Sequence, residues 1–468
     1  MVRVFRHYFP RSLLLLALIE GLIFLGAIYL GRFIRIYTAP YNIGMPGLVE
    51  FLPQASIFMI VMLAIMTGMG LYERNFWDGK VDMILRVGVS FLLGLFIMTL
   101  IYYILPAVYV GRVEFGYAFS AAFSGVILAR FVFLHISDQY LFKRRILVLG
   151  VGAKAEELEK LIGDTDNPGF YVVGYVPLEG ESVAVSVDKV IRQDEDKGVY
   201  ALTEAQQIDE ILVTVDDQSP AFPVNAILEC KVRGVEITDF LTFYERETGK
   251  IRLDDLRASN LIFSDGFHQV GLKNTSKRLF DVLASLLLLS LTWPVMLLAA
   301  LAIWLESGCR GPILYVQERI GKDEQIFKVL KFRSMRVDAE RDGVAQWAQK
   351  NDSRVTRVGN FIRKTRIDEL PQVLNVLRGN MSFVGPRPER PQFVEELSKT
   401  IPFYSMRHRV NPGITGWAQI CYPYGASEED AREKLQYDLY YIKNYSLFLD
   451  LMVLLQTAYV IFWGKGAR

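Results

Sequence analysis

The chain has 468 residues, 51% of them hydrophobic and 22% charged, and Lys+Arg 52 against Asp+Glu 51 gives a formal net charge of +1. That balance speaks against a polyanion-binding protein, so no nucleic acid is expected as a partner, and the length predicts two or three structural units. Cys230, Cys309 and Cys421 stand far apart without CxxC spacing, and His7, His135, His268 and His408 form no pair at helical spacing. A disulfide framework and a zinc site are therefore not expected.

Residues 1–142 read as a four-transmembrane-helix domain. Apolar runs at roughly 13–30, 54–72, 83–105 and 113–136 are each long enough to cross about 30 Å of hydrocarbon at about 1.5 Å per residue. They are separated at Pro40-Tyr41-Asn42, Glu73-Arg74-Asn75 and Pro106 to Arg112. The first run is longer than a signal-peptide core and no small-x-small cleavage site follows, so it reads as a retained anchor. Arg3, Arg6, Arg11, Arg74, Lys80, Arg86 and Lys143-Arg144-Arg145 fall on one side, against Arg32, Arg35 and Arg112 on the other. The positive-inside rule then puts the N-terminus and everything after 142, the later domains included, on the cytoplasmic side. Glu20 and Glu114 mark either a transport path or a helix–helix contact, and the contact is the favoured reading.

Residues 143–245 read as a Rossmann-like α/β domain. Strand-like runs at 145–150, 171–176, 210–215 and 235–238 alternate with helical periods such as Ala155 to Ile162. Gly150-x-Gly152 opening a helix is half of a dinucleotide fingerprint, with Ala155 at the third position. No acidic ribose ligand follows the second strand, which runs into Val176-Pro177-Leu178, so a domain without bound nucleotide is expected. Asp194-Glu-Asp196 matches a metal–nucleotide DxD in form, but it lies in a polar stretch and reads as a solvated loop.

After a linker over 246–275 comes a fifth apolar run, Leu279 to Leu305. Lys273, Lys277 and Arg278 precede it and Arg310, Arg319 and Lys322 follow it, so both ends are expected in the cytoplasm. Pro294 at its middle removes a backbone hydrogen bond, and Thr292 is placed to satisfy a freed carbonyl. The run is predicted to enter one leaflet, bend at Pro294 and return; an ordinary kinked span is the alternative.

The chemistry concentrates in 276–468, expected as this re-entrant helix plus a small α+β domain on the membrane surface. Lys331-Phe-Arg333 follows a strand-like run, and Arg354, Arg357, Arg363, Lys364 and Arg366 crowd ahead of Asp368-Glu369. Leu370, Val373, Leu374 and Leu377 form a helical face stopped by Gly379, and Pro371 belongs in a helix's first turn. Asp368 and Glu369 are thus predicted at a helix N-terminus, where anions are favoured. Two carboxylates among arginines suit a magnesium–pyrophosphate site, the carboxylates holding the cation and the guanidiniums the phosphate oxygens. A capped surface helix with ordinary salt bridges is the competing reading of the same spacing.

The ordered motifs Lys331-Phe-Arg-Ser-Met335, Arg354-Val-Thr-Arg-Val-Gly359, Arg366-Ile-Asp-Glu-Leu-Pro-Gln372, Asn375-Val-Leu-Arg-Gly379, Met381-Ser-Phe-Val-Gly-Pro-Arg-Pro-Glu389 and Pro412-Gly-Ile-Thr-Gly-Trp-Ala-Gln419 resemble the bacterial sugar transferase family. These are polyprenyl-phosphate hexose-1-phosphate transferases that start exopolysaccharide and O-antigen synthesis. The front half is similar to the long form of the family, including its exosortase-associated branch. The resemblance implies that Asp368 is the nucleophile toward the β-phosphate of a UDP-sugar, releasing UMP, and that Glu369 is its partner in magnesium binding or proton handling. It implies that Arg363, Arg387, Lys331 and Arg333 bind phosphate, that undecaprenyl phosphate accepts the phosphosugar, and that the helix broken at Pro294 is re-entrant. Shorter members carry Ser-Pro at that break, whereas this chain has Trp293-Pro294. Mg2+ is the expected cofactor, membrane lipid the expected surface, and a homodimer through the front domains is suggested. The sugar is not named; glucose or galactose is the default, with N-acetylated sugars as the alternative.

The aromatic-rich tail, Lys434 to Lys443 and Leu447 to Trp463, reads as an interfacial helix in preference to a further span. A membrane-bound nucleotide-sugar dehydratase would need a complete second fingerprint and a Tyr-x-x-x-Lys pair, and Tyr441 and Lys443 are too close to supply it. A non-enzymatic polymer-assembly scaffold would have no need of the arginine-flanked carboxylates.

Overall fold

The computed structural model describes residues 2–4, 7–9, 11–38, 51–72, 79–137, 143–164, 169–191, 199–215, 222–254, 256, 266, 271–309, 311–337, 354–422, 425 and 427–463. Asp194-Glu-Asp196, Pro40-Tyr41-Asn42 and Glu73-Arg74-Asn75 lie outside the described residues. Two compact units divide the chain, one made chiefly of 8–67 and 71–248, the other chiefly of 249–468.

Two short paired strands, β1 (Val2–Val4) and β2 (His7–Phe9), precede four apolar helices: α1 (Arg11–Thr38), α2 (Leu52–Gly68), α3 (Gly79–Ile104) and α4 (Arg112–Ser137). Ser12–Thr38, Lys80–Ile104 and Arg112–His135 are long and apolar enough to cross a membrane, whereas the 17-residue α2 is shorter. Phe24, Phe58, Met62 and Val126 fill the bundle's interior. At Gly31 a Cβ would lie 2.5 Å from the Glu114 carbonyl oxygen, so α1 and α4 approach where only glycine fits. Glu20 and Glu114 are both helix–helix contacts: Arg130 Nε lies 2.7 Å from Glu20 Oε1 and Tyr72 donates to Glu20, while Arg32 pairs with Glu114. Each charge is neutralised across the α1–α4 seam, as a low-dielectric interior demands.

The middle domain is a four-stranded parallel sheet of β3 (Arg144–Leu149), β4 (Phe170–Val176), β5 (Glu210–Val213) and β6 (Glu236–Asp239) in the order β4-β3-β5-β6. Its helices are α5 (Ala153–Asp164), α6 (Val199–Ala205), α7 (Val224–Val232) and α8 (Phe240–Thr248). Alternate β3 residues face opposite cores, Ile146 and Val148 on one side and Leu147 and Leu149 on the other. This is why the strand reads as an unbroken apolar run. Arg144 is drawn into the fold: its Nη1 lies 2.5 Å from Glu210 Oε2, and Arg246 Nη2 is 2.7 Å from Glu210 Oε1.

The second unit starts with α9 (Gly271–Glu306), then an antiparallel pair, β7 (Leu314–Ile320) and β8 (Ile326–Phe332), and the short helices α10 (Arg357–Lys364) and α11 (Gln372–Arg378). β9 (Ser382–Val384), α12 (Pro391–Thr400), β10 (Gly413–Thr415, parallel to β9), α13 (Trp417–Cys421), α14 (Glu428–Lys443) and α15 (Leu447–Trp463) complete it. A mixed α/β body therefore follows the apolar helix. Helical backbone continues through Pro294, which vacates the Ser290 carbonyl. Thr292 does not fill that vacancy. Its Oγ1 donates to Leu288 O at 2.7 Å, one turn back along its own helix, because the hydroxyl reaches the i−4 carbonyl without moving the backbone. In the tail, α15 packs Leu449, Met452 and Val453 into the body while Leu447 and Leu451 stay exposed.

Candidate active site

The carboxylate pair does not cap a long helix. Ile367–Glu369 form a 3-10 turn, Pro371 follows it, and α11 runs only from Gln372 to Arg378. Of the expected apolar face Val373 is buried and Leu370, Leu374 and Leu377 are half-buried, while Gln372, Asn375 and Val376 are buried as well, so that α11 is covered on several sides. Gly379, with φ of +87°, ends it as predicted. Arg366 precedes the turn in the left-handed region at φ +58°, reversing the chain so that the two carboxylates project from a tight corner.

Asn375 fixes that corner to the sheet. Its Oδ1 accepts from Leu330 N at 3.0 Å and its Nδ2 donates to Lys328 O at 2.7 Å, pairing α11 with the open edge of β8. The next residue along that strand, Lys331, is thereby held with Nζ 2.9 Å from Glu369 Oε1. From the other side comes Arg387, whose Nη2 lies 3.1 Å from the same oxygen. Arg366 Nη1 is 3.8 Å from Glu369 Oε2.

The turn carrying Arg387 is pinned by backbone packing. A Cβ on Gly385 would lie 2.3 Å from Asn411 O, and one on Gly413 would lie 2.2 Å from Gly385 N. The two glycine motifs are thus halves of one close approach. Arg319 Nη1 donates to Pro388 O at 3.1 Å, Arg407 Nη2 to Arg387 O at 3.0 Å, and Arg387 Nη1 to Gln419 Oε1 at 3.0 Å. Arg407 is itself paired with the buried Asp438 at 2.8 Å.

The two carboxylates are treated unequally. Glu369 meets three cations, and despite burial, which alone would raise it, Lys331, Arg387 and Arg366 hold its carboxyl far below the usual range. Among the described residues Asp368 has no ion pair within 4.0 Å and is 9% exposed. Burial, then the neighbouring Glu369 charge, pushes Asp368 up to about 6, against the pull of Lys331, Arg363 and Arg366. Burial likewise lowers Lys331, with Glu369 opposing. At neutral pH both carboxyls are ionised, and Asp368 is the more basic and less encumbered.

The sequence-predicted residues divide accordingly. Lys331, Arg387, Asp368 and Glu369 come together. Arg363 acts on Asp368 through its charge while its Nε bonds Ser334 Oγ at 2.9 Å. Arg333 is buried with its Nη1 against Gly311 and without a hydrogen-bond partner among the described residues, so no dyad contact is found for it. Arg366, seen in the sequence only as one basic residue of a cluster, joins the site. So does Gln419, which had no assigned role. Among the described residues no group of three or more His, Cys, Asp and Glu side chains is placed to hold a metal. What remains for a cation is Asp368 and the outer oxygen of Glu369, a set that fits Mg2+ only if substrate phosphates and water complete its shell.

In the middle domain, the half fingerprint carries its own anion. The Glu181 carboxylate accepts from Val151 N at 3.0 Å and from Leu178 N at 3.3 Å. Ala155 is fully buried below it, as the third fingerprint position requires.

Residues 272–464 match the family described as bacterial sugar transferase. The chain is 43% identical over 242 residues, 52% of its length and 56% of the relative's, to the UDP-N-acetylgalactosamine-undecaprenyl-phosphate N-acetylgalactosaminephosphotransferase of Aeromonas hydrophila. It is 43% identical over 42% of each chain to the UDP-glucose:undecaprenyl-phosphate glucose-1-phosphate transferase of Escherichia coli K12. With the UDP-galactose-lipid carrier transferase of Erwinia amylovora it shares 30% identity over 360 residues, 71% of each chain. The matched region spans only about half the length of the first two relatives. The last match reaches forward beyond the catalytic body. On this ground the chain belongs to the bacterial sugar transferase family.

Proposed function

We propose that this protein transfers a hexose 1-phosphate from a UDP-sugar to undecaprenyl phosphate through a covalent phosphosugar on Asp368, at the cytoplasmic leaflet of a bacterial inner membrane, initiating exopolysaccharide or O-antigen synthesis. The observation that carries it is the unequal ion pairing of the dyad: Glu369 gathers Lys331, Arg387 and Arg366, while Asp368 has no ion pair among the described residues. A nucleophile needs an available lone pair, and phosphate oxygens need a cationic cradle; the corner separates those two tasks.

In the first half-reaction an Asp368 oxygen attacks the β-phosphorus, the bond to the α-phosphate oxygen breaks, and UMP leaves with that electron pair. In the second, an oxygen of undecaprenyl phosphate attacks the same phosphorus and the Asp368 carboxylate departs, giving undecaprenyl-diphosphate-sugar. Lys331, Arg366 and Arg387 each carry several N–H donors and would hold the transferred phosphate in both steps. Asp368 and Glu369 would hold Mg2+, which when bound supplies charge neutralisation for the diphosphate. Using one site in turn implies ping-pong kinetics.

A re-entrant α9 is supported by where its ends attach. On one side of Pro294, Arg278 donates to Val376 O and Leu377 O at 2.5 Å, and Asp281 accepts from Ser382 Oγ at 3.0 Å. On the other side, Ala299 and Ile303 pack with Phe332 and Ile362, and Glu306 accepts from Arg357 N at 2.8 Å. Both ends of the helix dock on one body, which supports entry and exit through a single leaflet; a helix of that kind would put the dyad beside a lipid acceptor.

The relatives' names carry N-acetylgalactosamine, glucose and galactose, so the donor is to be found by trial. Purified protein with Mg2+ and a panel of sugar-labelled UDP-sugars, without acceptor, is expected to give a stoichiometric burst of UMP from the right donor. UMP released only once undecaprenyl phosphate is added would contradict the covalent step.

A further inference from the structure

Gln419 stands outside the dyad, yet it holds the guanidinium that reaches in. Its Oε1 accepts from Arg387 Nη1 at 3.0 Å, and Arg387 Nη2 continues to Glu369 Oε1 at 3.1 Å. Arg407 bonds the backbone of Arg387, through its carbonyl, whereas Gln419 bonds the guanidinium itself, at the terminal nitrogen not given to Glu369. The amide's other end argues against a structural purpose. Nε2 is buried with no hydrogen-bond partner among the described residues. An orphaned donor of that kind costs stability, whereas the bond to a guanidinium that is 32% exposed returns little, since water can replace it. A side chain that folding alone would not place there is accounted for by what it does to Arg387.

The helix bearing it is anchored independently. Trp417, two residues earlier on α13, donates its ring N–H to Gly249 O at 2.9 Å and stacks on Tyr440 at 5.9 Å between centroids. α13 is therefore a fixed post, and Gln419 transmits its position to the arginine.

We infer that Gln419 is a positioning residue for Arg387, setting the guanidinium plane that receives the donor's diphosphate. This rests on the assignment of Arg387 as a phosphate ligand in the proposed reaction. The test is a double-mutant cycle on the full chain, combining Gln419→Leu with Arg387→Lys and reading both melting temperature and UMP release from the donor that gives the wild-type burst. Gln419→Leu is expected to lower kcat/KM on the order of ten-fold while the melting temperature stays level or rises, because the orphaned donor is removed. In the Arg387→Lys background, where no planar fork remains to be aligned, the same change is expected to cost less than about two-fold. An equal factor in both backgrounds, unaltered activity, or a lower melting temperature accompanying the loss would each overturn the inference. If the wild type itself releases no UMP, the proposed reaction fails and this role falls with it, an outcome distinct from a wild-type burst that Gln419→Leu leaves intact.

Discussion

The Gly150-x-Gly152 turn of the middle domain and the Asp368-Glu369 turn of the catalytic body both present groups suited to an anion, and the chain treats them in opposite ways. At the first, the amide that would face a phosphate is taken by the Glu181 carboxylate. At the second, Lys331, Arg363, Arg366 and Arg387 act on two carboxylates, leaving positive charge in surplus. In its strand-to-helix setting the glycine turn thus has an amide bonded by a carboxylate of its own domain. What marks the second corner is that four basic groups act on two carboxylates, one of which, Asp368, has no ion pair within 4.0 Å among the described residues, together with burial that raises the value of each charge.

The sharpest way to break this contrast is Asp368→Asn. UMP release is expected to fall by roughly a thousand-fold or more, with the protein still folded. The same change is expected to raise the melting temperature at pH 7. The folded-state value of Asp368, about 6, lies above its ordinary value of 3.8, so the native state binds the extra proton and stability declines as pH rises through that window. Asparagine removes that penalty, and the difference between the two proteins should close below about pH 4.

Arg387→Ala is expected to cost on the order of a hundred-fold in kcat/KM, since it removes a fork-like donor from the phosphate while leaving the nucleophile intact. Without Mg2+, the pH profile of acceptor-free UMP release should fall as pH drops below about 6, by close to ten-fold per unit. A profile flat down to pH 4 would mean that Asp368 does not titrate where its burial puts it. Glu181→Gln sharpens the other half of the contrast: it should lower the melting temperature and leave UMP release within about two-fold, since that carboxylate serves the fold. A chain shortened to residues 249–468 is likewise expected to retain UMP release, within about ten-fold, because the groups named at the dyad all lie in that unit.

How much of this was legible in the sequence depended on the range of the interactions. Period and composition revealed the apolar helices, the parallel-sheet strands and the Gly379 stop, because each is decided by neighbours within a turn or a pleat. The dyad stood out because acidic residues amid arginines are conspicuous in any register. The 3-10 turn did not, since it follows from the left-handed Arg366 and the proline after it, and α11 was misjudged because its Asn375 faces a strand edge distant in sequence. Gln419 was invisible for the same reason: nothing near it in the chain says that it will meet Arg387. Thr292 bonds a carbonyl two residues before the vacated one because the hydroxyl's nearest acceptor is the i−4 oxygen, regardless of where proline opens the ladder.

The central claim is a covalent phosphosugar on Asp368, and intact-protein mass spectrometry after acceptor-free incubation with the active UDP-sugar addresses it directly. The account predicts a species heavier by one esterified sugar phosphate, mapped by proteolysis to the peptide holding Asp368 and discharged when undecaprenyl phosphate is added. Unmodified protein alongside steady acceptor-dependent UMP release, or an adduct that persists in Asp368→Asn, would contradict it.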